Sequence, residues 1–384
     1  MARKIGRSLH SSCSGIEGSN KNAWLSCSII DFHSIMIAPS FRHHTGEVSV
    51  PQSPTMLAAF IDSANGPFTV RRVPRPTPSA GEVLVRVHAS GTNPLDAKIR
   101  AGEAAHARRP LLAVLGMDVA GVVEAVGSGD AAFAVGDEVY GLVGGVGDLP
   151  GTQAQYITAD ARLLARKPTN LTMREAAVLP LVTLTAWEGL IDRAAIRPGQ
   201  SVLVQGGGGG VGHAAVQLAL AYGAHVFATA FGDDLAYIRG LGATPIDAAQ
   251  EVEHYVAERT DGRGFDIVYD TGGGAMLDAS FRAVKRLGHV VSSLGWGVHA
   301  LAPLSFKQAT YSGVFTLHTL LANEGRERYG EILAAAAKLA ESGRLSPRLD
   351  PRDFGIDEIG AAYDAVTSRR GTPPRRGKIA ITIA

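Results

Sequence analysis

The most informative stretch of the chain, residues 201–222, reads SVLVQGGGGGVGHAAVQLALAY. An apolar run is followed by seven residues, six of them glycine, and then by the pattern of an amphipathic helix. Gly207, Gly209 and Gly212 satisfy the dinucleotide-binding fingerprint, whose glycines permit a tight turn and bring free backbone N–H groups close to a pyrophosphate. Because the motif lies between a strand and a helix, it predicts a dinucleotide site rather than a flexible linker.

From this stretch onward, strands and helices alternate along the chain. The predicted strands are Ser201–Gln205, His225–Thr229, Pro245–Asp247, Phe265–Asp270 and His289–Leu294. The predicted helices are Val211–Tyr222, Asp233–Leu241, Ala249–Thr260 and Ala275–Arg286. Such alternation predicts a doubly wound parallel sheet with helices on both faces.

Before residue 200 the chain shows short β-branched runs separated by glycine and proline, which predict antiparallel strands. These runs are Leu57–Ile61, Phe68–Val73, Val83–Ala89, Ala120–Val126 and Glu138–Leu142. Thr172 and Glu175 have the spacing of a capping box and predict a helix start. Further predictions are a helix over Glu331–Glu341 and a last strand over Lys378–Ile383. The predicted fold class is therefore α/β, a β-rich domain joined to a parallel-sheet domain.

Composition narrows the class of protein. The chain has 384 residues with 37 basic and 36 acidic side chains, so we expect no nucleic-acid partner and no charged membrane surface partner. No window approaches the roughly 18 consecutive apolar residues of a membrane span, and we expect a soluble, cytoplasmic protein. The two cysteines, Cys13 and Cys27, exclude a disulfide scaffold and any cysteine-ligated metal beyond residue 27.

Residues 1–54 differ from the rest, being rich in Ser, His and Arg and without clear periodicity. We expect a disordered extension, or an overlong start with the true beginning near Met56. A transit peptide is the competing interpretation, since Arg3, Lys4 and Arg7 are followed by serines, although Glu17 and other acidic residues dilute that pattern.

Several ordered motifs between Met56 and the last residue resemble the medium-chain dehydrogenase/reductase superfamily. More specifically, they resemble its zinc-independent quinone oxidoreductase branch, the zeta-crystallin type. The motifs are Gly91-Thr92-Asn93-Pro94-Leu95-Asp96, Gly116-Met117-Asp118-Val119-Ala120-Gly121, Val135-Gly136-Asp137-Glu138-Val139-Tyr140-Gly141, Ala176 to Trp187 and the glycine loop.

This resemblance implies a domain arrangement. It predicts a GroES-like catalytic domain over 55–180, completed by about 320–384, around a Rossmann domain over 181–319. The active site would lie in the cleft between the two domains. The family also implies a homodimer joined through the edges of the Rossmann sheets.

The positions where zinc-dependent relatives place metal ligands are occupied here by Asn93, Met117 and Leu181. An amide, a thioether and an alkyl group cannot form the Cys/His ligand set of a catalytic zinc. Leu95 likewise replaces the hydroxyl that usually follows the first ligand. We therefore expect no zinc, and hydride transfer to an acceptor that tolerates weak polarisation, a quinone or an α,β-unsaturated carbonyl compound.

The resemblance also implies roles for individual residues. Asn93 would face the nicotinamide and the substrate, and Tyr140 is either a proton donor or a residue packed below the cleft. Thr185 either contacts the cofactor or bonds back to its own helix. Asp118 is expected to be a paired structural carboxylate, and Asp96 to pair with Arg100 one turn away. The remaining predicted cofactor contacts are Gly207, Gly209, Gly210, Val211, Gly212, Thr229, Phe231, Leu294, Gly295, Phe315, Leu317 and Lys378.

The choice of cofactor is left open by the sequence. The family implies NADP(H), but the tip of the second Rossmann strand, Thr229 to Phe231, carries neither an acid for a ribose hydroxyl nor a base for a 2′-phosphate. NAD(H) therefore stays an alternative. Two tyrosines frequent near the active-site asparagine of bacterial quinone reductases are replaced by Lys98 and Ala104.

Three functions compete at this point. The first is an NAD(P)H-dependent reductase of quinones or enones. The second is a dinucleotide-binding module without efficient catalysis, which the missing tyrosines leave open. The third is an enoyl-thioester reductase, for which Arg108 and Arg109 would be candidate ligands of a carrier phosphate.

Overall fold

Three sheets organise the residues that the structure, a computed structural model, describes: 54–129, 132–368 and 377–383. The predicted extension over residues 1–54 lies outside these ranges except for Pro54. The strands are β1 (Thr55–Ile61), β2 (Phe68–Pro74), β3 (Glu82–Gly91), β4 (Ala113–Val114), β5 (Asp118–Val126), β6 (Glu138–Leu142), β7 (Tyr156–Asp160), β8 (Leu164–Arg166), β9 (Ser201–Gln205), β10 (His225–Ala230), β11 (Thr244–Asp247), β12 (Phe265–Asp270), β13 (Val284–Ser292), β14 (Thr310–Gly313), β15 (Phe354–Gly355) and β16 (Ala380–Thr382).

Helices connect most of these strands in the described part of the chain. They are α1 (Pro94–Arg100), α2 (Met173–Ala177), α3 (Pro180–Trp187), α4 (Gly210–Ala221), α5 (Asp234–Gly240), α6 (Val252–Thr260), α7 (Ala275–Ala283), α8 (Ala302–Lys307), α9 (Leu317–Ala322), α10 (Arg326–Glu341) and α11 (Ile359–Thr367). A π-helical turn, Glu188–Arg193, continues α3. The predicted capping box of Thr172 and Glu175 is present at the start of α2.

The six-stranded sheet has the order β11-β10-β9-β12-β13-β14, and all of its pairs are parallel. This is the doubly wound Rossmann order, so the predicted α/β class with a parallel sheet is confirmed. The strand order reverses beside β9, whose carboxyl end leads into the glycine loop. In such sheets ligands bind at the carboxyl ends of the strands around this reversal.

The other two sheets form the β-rich part of the molecule. One has the order β2-β1-β4, and the other has the order β15-β16-β3-β5-β6-β8 with β7 paired to β3. Along β3 most side chains are buried, as expected for a strand with neighbours on both sides. Strand β16 pairs antiparallel with β3, so that Ala380 lies opposite Gly91. This pairing places the last described segment beside the Asn93 motif.

Predicted element boundaries differ from the observed ones mainly near β13. The helix predicted to reach Arg286 ends at Ala283, because the backbone from Val284 already pairs with β12. Leu287 has a left-handed φ of 60° within the irregular start of β13. The alanine-rich helix α10 begins at Arg326, after Gly325 in a left-handed conformation (φ 67°), rather than at Glu331.

A search of the described residues finds no helix that is both long enough and apolar enough to cross a membrane.

Candidate active site

A cleft of about 610 Å³ opens at the carboxyl ends of the parallel strands. Its volume lies in the range of small-molecule and cofactor sites. One end is lined by the glycine loop, and the walls come from the segments that follow β12, β13 and β14. The opposite end is lined by residues of the Asn93 motif. The lining includes Asn93, Lys98, Thr185, Gly208, Gly209, Gly210, Val211, Leu294, Phe315, Leu317, Arg348 and Lys378.

Part of the glycine-loop end of the cleft is made of backbone. Helix α4 begins at Gly210, and its N-cap Gly209 has an extended backbone without a side-chain cap. The first N–H groups of a helix have no partner within the helix, and they carry the positive end of its dipole. Gly208 to Val211 line the cleft; the N–H groups of Gly210 and Val211 are of this kind, whereas that of Gly209 donates to Gly206 O over 3.0 Å. The arrangement fits the pyrophosphate of a dinucleotide.

Two further glycines shape the loop from below and do not line the cleft. A Cβ on Gly212 would lie 2.1 Å from the carbonyl oxygen of Gly206, and a Cβ on Gly207 would lie 2.6 Å from the Cβ of Ala228. Contacts this short do not occur, so the turn can form only with glycine at these positions. Gly207 and Gly212 therefore hold the loop against β10 and α4.

His213 lies beneath the loop and is 2% exposed. Its Nδ1 is 3.3 Å from the carbonyl oxygen of Gly209, so this nitrogen carries the proton. Burial lowers the pKa of His213 to about 4, and the ring is neutral near pH 7. Nε2 is then an acceptor, and it has no hydrogen-bond partner among the residues that the structure describes.

At the opposite end, Asn93 is buried and its side-chain amide is held by an ion pair. Its Nδ2 donates to Asp118 Oδ2 over 3.0 Å, and its Oδ1 accepts from Lys378 Nζ over 2.8 Å. Lys378 Nζ also lies 2.6 Å from the same Asp118 oxygen. The other oxygen of Asp118 accepts from the backbone N–H of Leu181 over 2.9 Å. Asp118 is thus a paired carboxylate, as the sequence predicts.

Asp96 was expected to pair with Arg100, and the structure corrects this expectation. Asp96 Oδ2 accepts from the backbone N–H of Asn93 over 2.8 Å, in a capping box at the start of α1. Arg100 donates instead to the carbonyl of Gly66 and lies 3.9 Å from Asp364. Burial raises the pKa of Asp96 to about 7, with the nearby Asp118 acting in the same direction.

The walls of the cleft hold most of the predicted nicotinamide contacts. Thr185, Leu294, Phe315 and Leu317 line it. The hydroxyl of Thr185 donates to Leu181 O over 2.7 Å, which is the back-bonding alternative, and also lies 2.9 Å from Thr316 Oγ1. Gly295 is not among the lining residues.

The outer part of the cleft carries groups whose position the sequence did not reveal. Lys98, near the end of α1, lines it with an exposed side chain. An aromatic rim is formed by His106, Trp296 and Phe315. The His106 ring lies 5.3 Å from Trp296 and 6.1 Å from Phe315, between ring centres. Residues 106 and 296 come from distant segments, so no local motif signals this rim.

Tyr140 was a candidate proton donor, and the structure places it elsewhere. Its side chain is fully buried, and its hydroxyl donates to Leu333 O in α10 over 2.7 Å. Burial raises the pKa of Tyr140 well above its usual value. Tyr140 does not line the cleft, so it has the alternative role, a residue packed below it.

Thr229 and Phe231 are also not brought to the cleft. Thr229 is buried and its hydroxyl donates to Gln205 Oε1 over 2.8 Å, while Phe231 is 65% exposed. Asp234 and Arg348 line this end instead. Arg348 donates to Gly208 O over 2.7 Å and to Asp234 Oδ1 over 2.6 Å, and its guanidinium lies 3.9 Å from the centre of the Tyr237 ring.

The residues at the zinc-ligand positions of related enzymes do not fit zinc. The Asp118 carboxylate contacts both the Asn93 side chain and the Leu181 backbone, and Met117 is its neighbour in the chain. The side chains at the three positions are an amide, a thioether and an alkyl group, none of which is a ligand that zinc favours. Within the described ranges, no group of three or more His, Cys, Asp or Glu could hold a metal ion.

The sequence is similar to known families and proteins with reductase and dehydrogenase names. Residues 79–169 match the family Alcohol dehydrogenase GroES-like domain, and residues 210–338 match the family Zinc-binding dehydrogenase. The chain is 35% identical to the 2-methylene-furan-3-one reductase of Solanum lycopersicum over 78% of this chain and 71% of that protein. It is 33% identical to the chloroplastic NADPH-dependent alkenal/one oxidoreductase of Arabidopsis thaliana over 88% of this chain and 81% of that protein.

A solved structure is similar over most of the chain. It is that of an alcohol dehydrogenase superfamily protein from Novosphingobium aromaticivorans, with 67% sequence identity and a TM-score of 0.85. The alignment covers 86% of this chain and 100% of the solved one. The chain therefore belongs to the medium-chain dehydrogenase/reductase superfamily of oxidoreductases.

Proposed function

We propose that the protein reduces quinones or α,β-unsaturated carbonyl compounds with NADPH and without zinc. One observation carries the proposal. A single cleft joins a backbone site suited to a pyrophosphate to a second site lined by an amide, an ammonium group and aromatic rings. The positions that hold zinc ligands in related enzymes carry Asn93, Met117 and Leu181. The names of the relatives, enone and alkenal reductases, agree with this chemistry.

The residues of the glycine-loop end would hold the cofactor. The N–H groups of Gly210 and Val211, at the start of α4, would bind the pyrophosphate. Leu294, Phe315 and Leu317 would enclose the nicotinamide and exclude water. When bound, the reduced nicotinamide supplies the hydride. His213, neutral and with Nε2 as an acceptor, is suited to a ribose hydroxyl rather than to the pyrophosphate, since it has no proton to offer from that atom.

The residues of the outer end would hold the acceptor. Hydride addition to the β-carbon of an enone places negative charge on the carbonyl oxygen, and addition to a quinone does the same. The ammonium group of Lys98 would stabilise this charge and donate a proton from Nζ to the oxygen. The rim of His106, Trp296 and Phe315 would cover one face of a flat, conjugated acceptor.

The preference for NADPH is the finer part of the proposal. Arg348 lies at the glycine loop and would bind a 2′-phosphate, for which a guanidinium is well suited. Asp234 pairs with it and would oppose the phosphate by repulsion or accept from a free ribose hydroxyl. A preference for NADPH thus depends on Arg348 exchanging Asp234 for the phosphate.

The thioester alternative has less support from the basic residues that suggested it. The guanidinium of Arg109 donates to the carbonyl oxygens of Gly147, Leu149 and Val114. Arg109 is therefore used in the fold and is not free for a carrier phosphate. Arg108 is exposed.

The test is an acceptor panel. The purified full chain is mixed with NADPH or NADH and with quinones, alkenals, aryl enones and an enoyl-coenzyme A, and oxidation of the cofactor is followed by absorbance. We expect turnover with quinones or enones that a chelator leaves unchanged. Turnover lost with chelator and restored by zinc contradicts the zinc-free mechanism. Tight cofactor binding with no turnover on any acceptor supports the binding-module alternative, and turnover only on the thioester supports the enoyl reductase.

We further propose a homodimer, the domain boundaries stated above and a cytoplasmic location. Strand β14 is at the edge of the six-stranded sheet, and its neighbourhood exposes Val298, Leu301 and Phe306 at 100%, 58% and 86%. Apolar surface beside a sheet edge favours pairing with a second copy. Light scattering after gel filtration should give twice the mass of one chain, and Phe306→Asp should lower the measured mass toward that of a single chain. A single-chain mass for the unchanged protein contradicts the dimer.

A further inference from the structure

The side chain of Asn93 is enclosed in a closed cycle of three hydrogen bonds. The cycle runs from Asn93 Nδ2 to Asp118 Oδ2 (3.0 Å), from Asp118 Oδ2 to Lys378 Nζ (2.6 Å) and from Lys378 Nζ back to Asn93 Oδ1 (2.8 Å). All three side chains are buried, at 1%, 0% and 7% exposure for Asn93, Asp118 and Lys378. Because these side chains are almost fully buried at the wall of the cleft, water screens the cycle only weakly.

The cycle fixes the orientation of the Asn93 side-chain amide, that is, the positions of its oxygen and its nitrogen. A carboxylate can only accept and an ammonium group can only donate, so Nδ2 must face Asp118 and Oδ1 must face Lys378. A flipped amide would set an oxygen against a carboxylate and an N–H group against an ammonium group. The ambiguity of amide orientation is therefore removed by charge rather than by shape.

The cycle also determines what Asn93 can offer to a ligand. The carboxylate of Asp118 and the ammonium group of Lys378 both contact one edge of the Asn93 amide. This edge carries Oδ1 and the N–H group of Nδ2 that lies on the same side as Oδ1. The second N–H group of Nδ2 points away from this edge and has no role in the cycle. The ammonium group of Lys378 on Oδ1 draws electron density away from the amide nitrogen, which strengthens the N–H groups of Asn93 as donors.

We propose that Asp118 and Lys378 are positioning residues that hold Asn93 as an oriented and polarised N–H donor toward the reacting carbonyl oxygen. This inference rests on the proposed function and adds to it the source of the amide's orientation. Lys378 is itself held in place, since its backbone N–H donates to Arg348 O and its carbonyl oxygen accepts from the N–H of Asp350, both over 2.8 Å. Its side-chain stem lies beside the glycine loop, 3.9 Å from the Cβ position of Gly210.

The test uses a charge-neutral double variant, Asp118→Asn/Lys378→Met, because removal of one charge alone leaves the other buried without a partner and can prevent folding. In this variant the new amide at position 118 keeps an oxygen for the Leu181 N–H group. Its N–H groups face Asn93 and favour the flipped amide. The matched control is Asp266→Asn/Lys285→Met, which makes the same changes in an ion pair at the amino end of β9, away from the cleft.

The first readout needs neither cofactor nor acceptor. In the ¹⁵N spectrum of the cofactor-free protein, the Asn93 side-chain pair, identified by its loss in Asn93→Ala, should show one proton shifted far downfield by the carboxylate. We expect this shift to disappear in the double variant and to persist in the control. An unshifted Asn93 pair in the unchanged protein contradicts the cycle itself.

The second readout is a mutant cycle in kcat with the best acceptor of the panel. We expect Asn93→Ala and the double variant each to lower kcat on the order of 100-fold, with the Kd for NADPH changed by less than about threefold. If Asp118 and Lys378 act through Asn93, Asn93→Ala has almost no further effect in the double variant. Additive losses overturn the proposal. Absence of turnover in the unchanged protein contradicts the proposed function instead, and the spectrum still tests the cycle.

Discussion

The two ends of the cleft are built in different ways. At the glycine-loop end, the part suited to a pyrophosphate consists of backbone from one run, Gly208 to Val211, at the start of one helix. The opposite end consists of side chains from separate segments, and the bond between Lys378 and Asn93 joins residues 285 positions apart. A backbone site needs only the absence of side chains in a local turn, whereas a side-chain site needs the whole topology. The first end should therefore tolerate distant change, and the second should not.

The largest effect is expected where the backbone site loses its space. Gly212→Val would place a side chain against Gly206 O, which lies 2.1 Å from the Cβ position. The loop must then move, and we expect the Kd for NADPH to rise on the order of 100-fold or more. Fluorescence titration measures it. Gly240→Ala is the control, since nothing lies within 4 Å of its Cβ position. An unchanged Kd in Gly212→Val would show that the loop does not bind the cofactor.

The next effect separates the two ends. Lys98→Met removes the exposed ammonium group of the outer end and leaves the loop untouched. Because water can replace part of the proton donation, we expect kcat to fall about tenfold while the Kd for NADPH stays the same. Stopped-flow absorbance with an enone measures kcat. A change in Kd without a change in kcat would place Lys98 at the cofactor rather than at the acceptor.

Arg348 tests the side-chain part of the glycine-loop end. In Arg348→Gln the guanidinium that pairs with Asp234 is lost, and we expect about tenfold weaker binding of NADPH with little change for NADH. Asp234→Asn should act in the opposite direction and raise the preference for NADPH. Both Kd values come from the same fluorescence titration. If the ratio of the Kd for NADPH to the Kd for NADH is the same in the unchanged protein and in both variants, Arg348 and Asp234 do not distinguish the two cofactors at the 2′-position.

The smallest effect concerns the stability of the Asn93 end. The pKa of Asp96 is raised from 3.8 to about 7 in the folded protein, chiefly by burial. Between these values the unfolded chain loses a proton that the folded protein keeps, so the free energy of unfolding falls as pH rises from about 4 to about 7. Asp96→Asn removes this term and keeps an acceptor for the Asn93 N–H group.

The Tm difference between Asp96→Asn and the unchanged protein should therefore increase over this pH window, by on the order of 2–4 °C. Calorimetry at pH 4 to 8 measures it. The exposed Asp357, changed to Asn, is the control and should show no such trend. A constant Tm difference across the window would mean that Asp96 titrates near its ordinary pKa.

The features that the sequence predicts correctly also depend on neighbouring residues, and those that it misses depend on distant ones. The loop, the parallel sheet and the capping box of α2 depend on neighbouring residues, and they were predicted with bounds within a few positions. Asn93 and Asp96 also form a capping box, whereas the helical spacing of Asp96 and Arg100 predicts a pair between those two residues. Tyr140 belongs to one of the family motifs, but only the packing of α10 shows that its hydroxyl donates to the carbonyl oxygen of Leu333.

The residues that sequence reasoning missed share one property. Arg348 reaches Asp234 across 114 positions, and His106 meets Trp296 from a different segment. Neither contact has a periodicity or a spacing that could be recognised along the chain. Such contacts become visible only when the positions of these segments in the folded chain are known.

The position of Lys378 in the chain also bears on the order in which the protein acquires its parts during translation. A ribosome delivers Asn93 and Asp118 first, then the whole glycine loop, and Lys378 only after α11. The glycine loop is therefore synthesised before the cationic neighbour of the amide at position 93, and the two ends of the cleft are completed at different stages of synthesis.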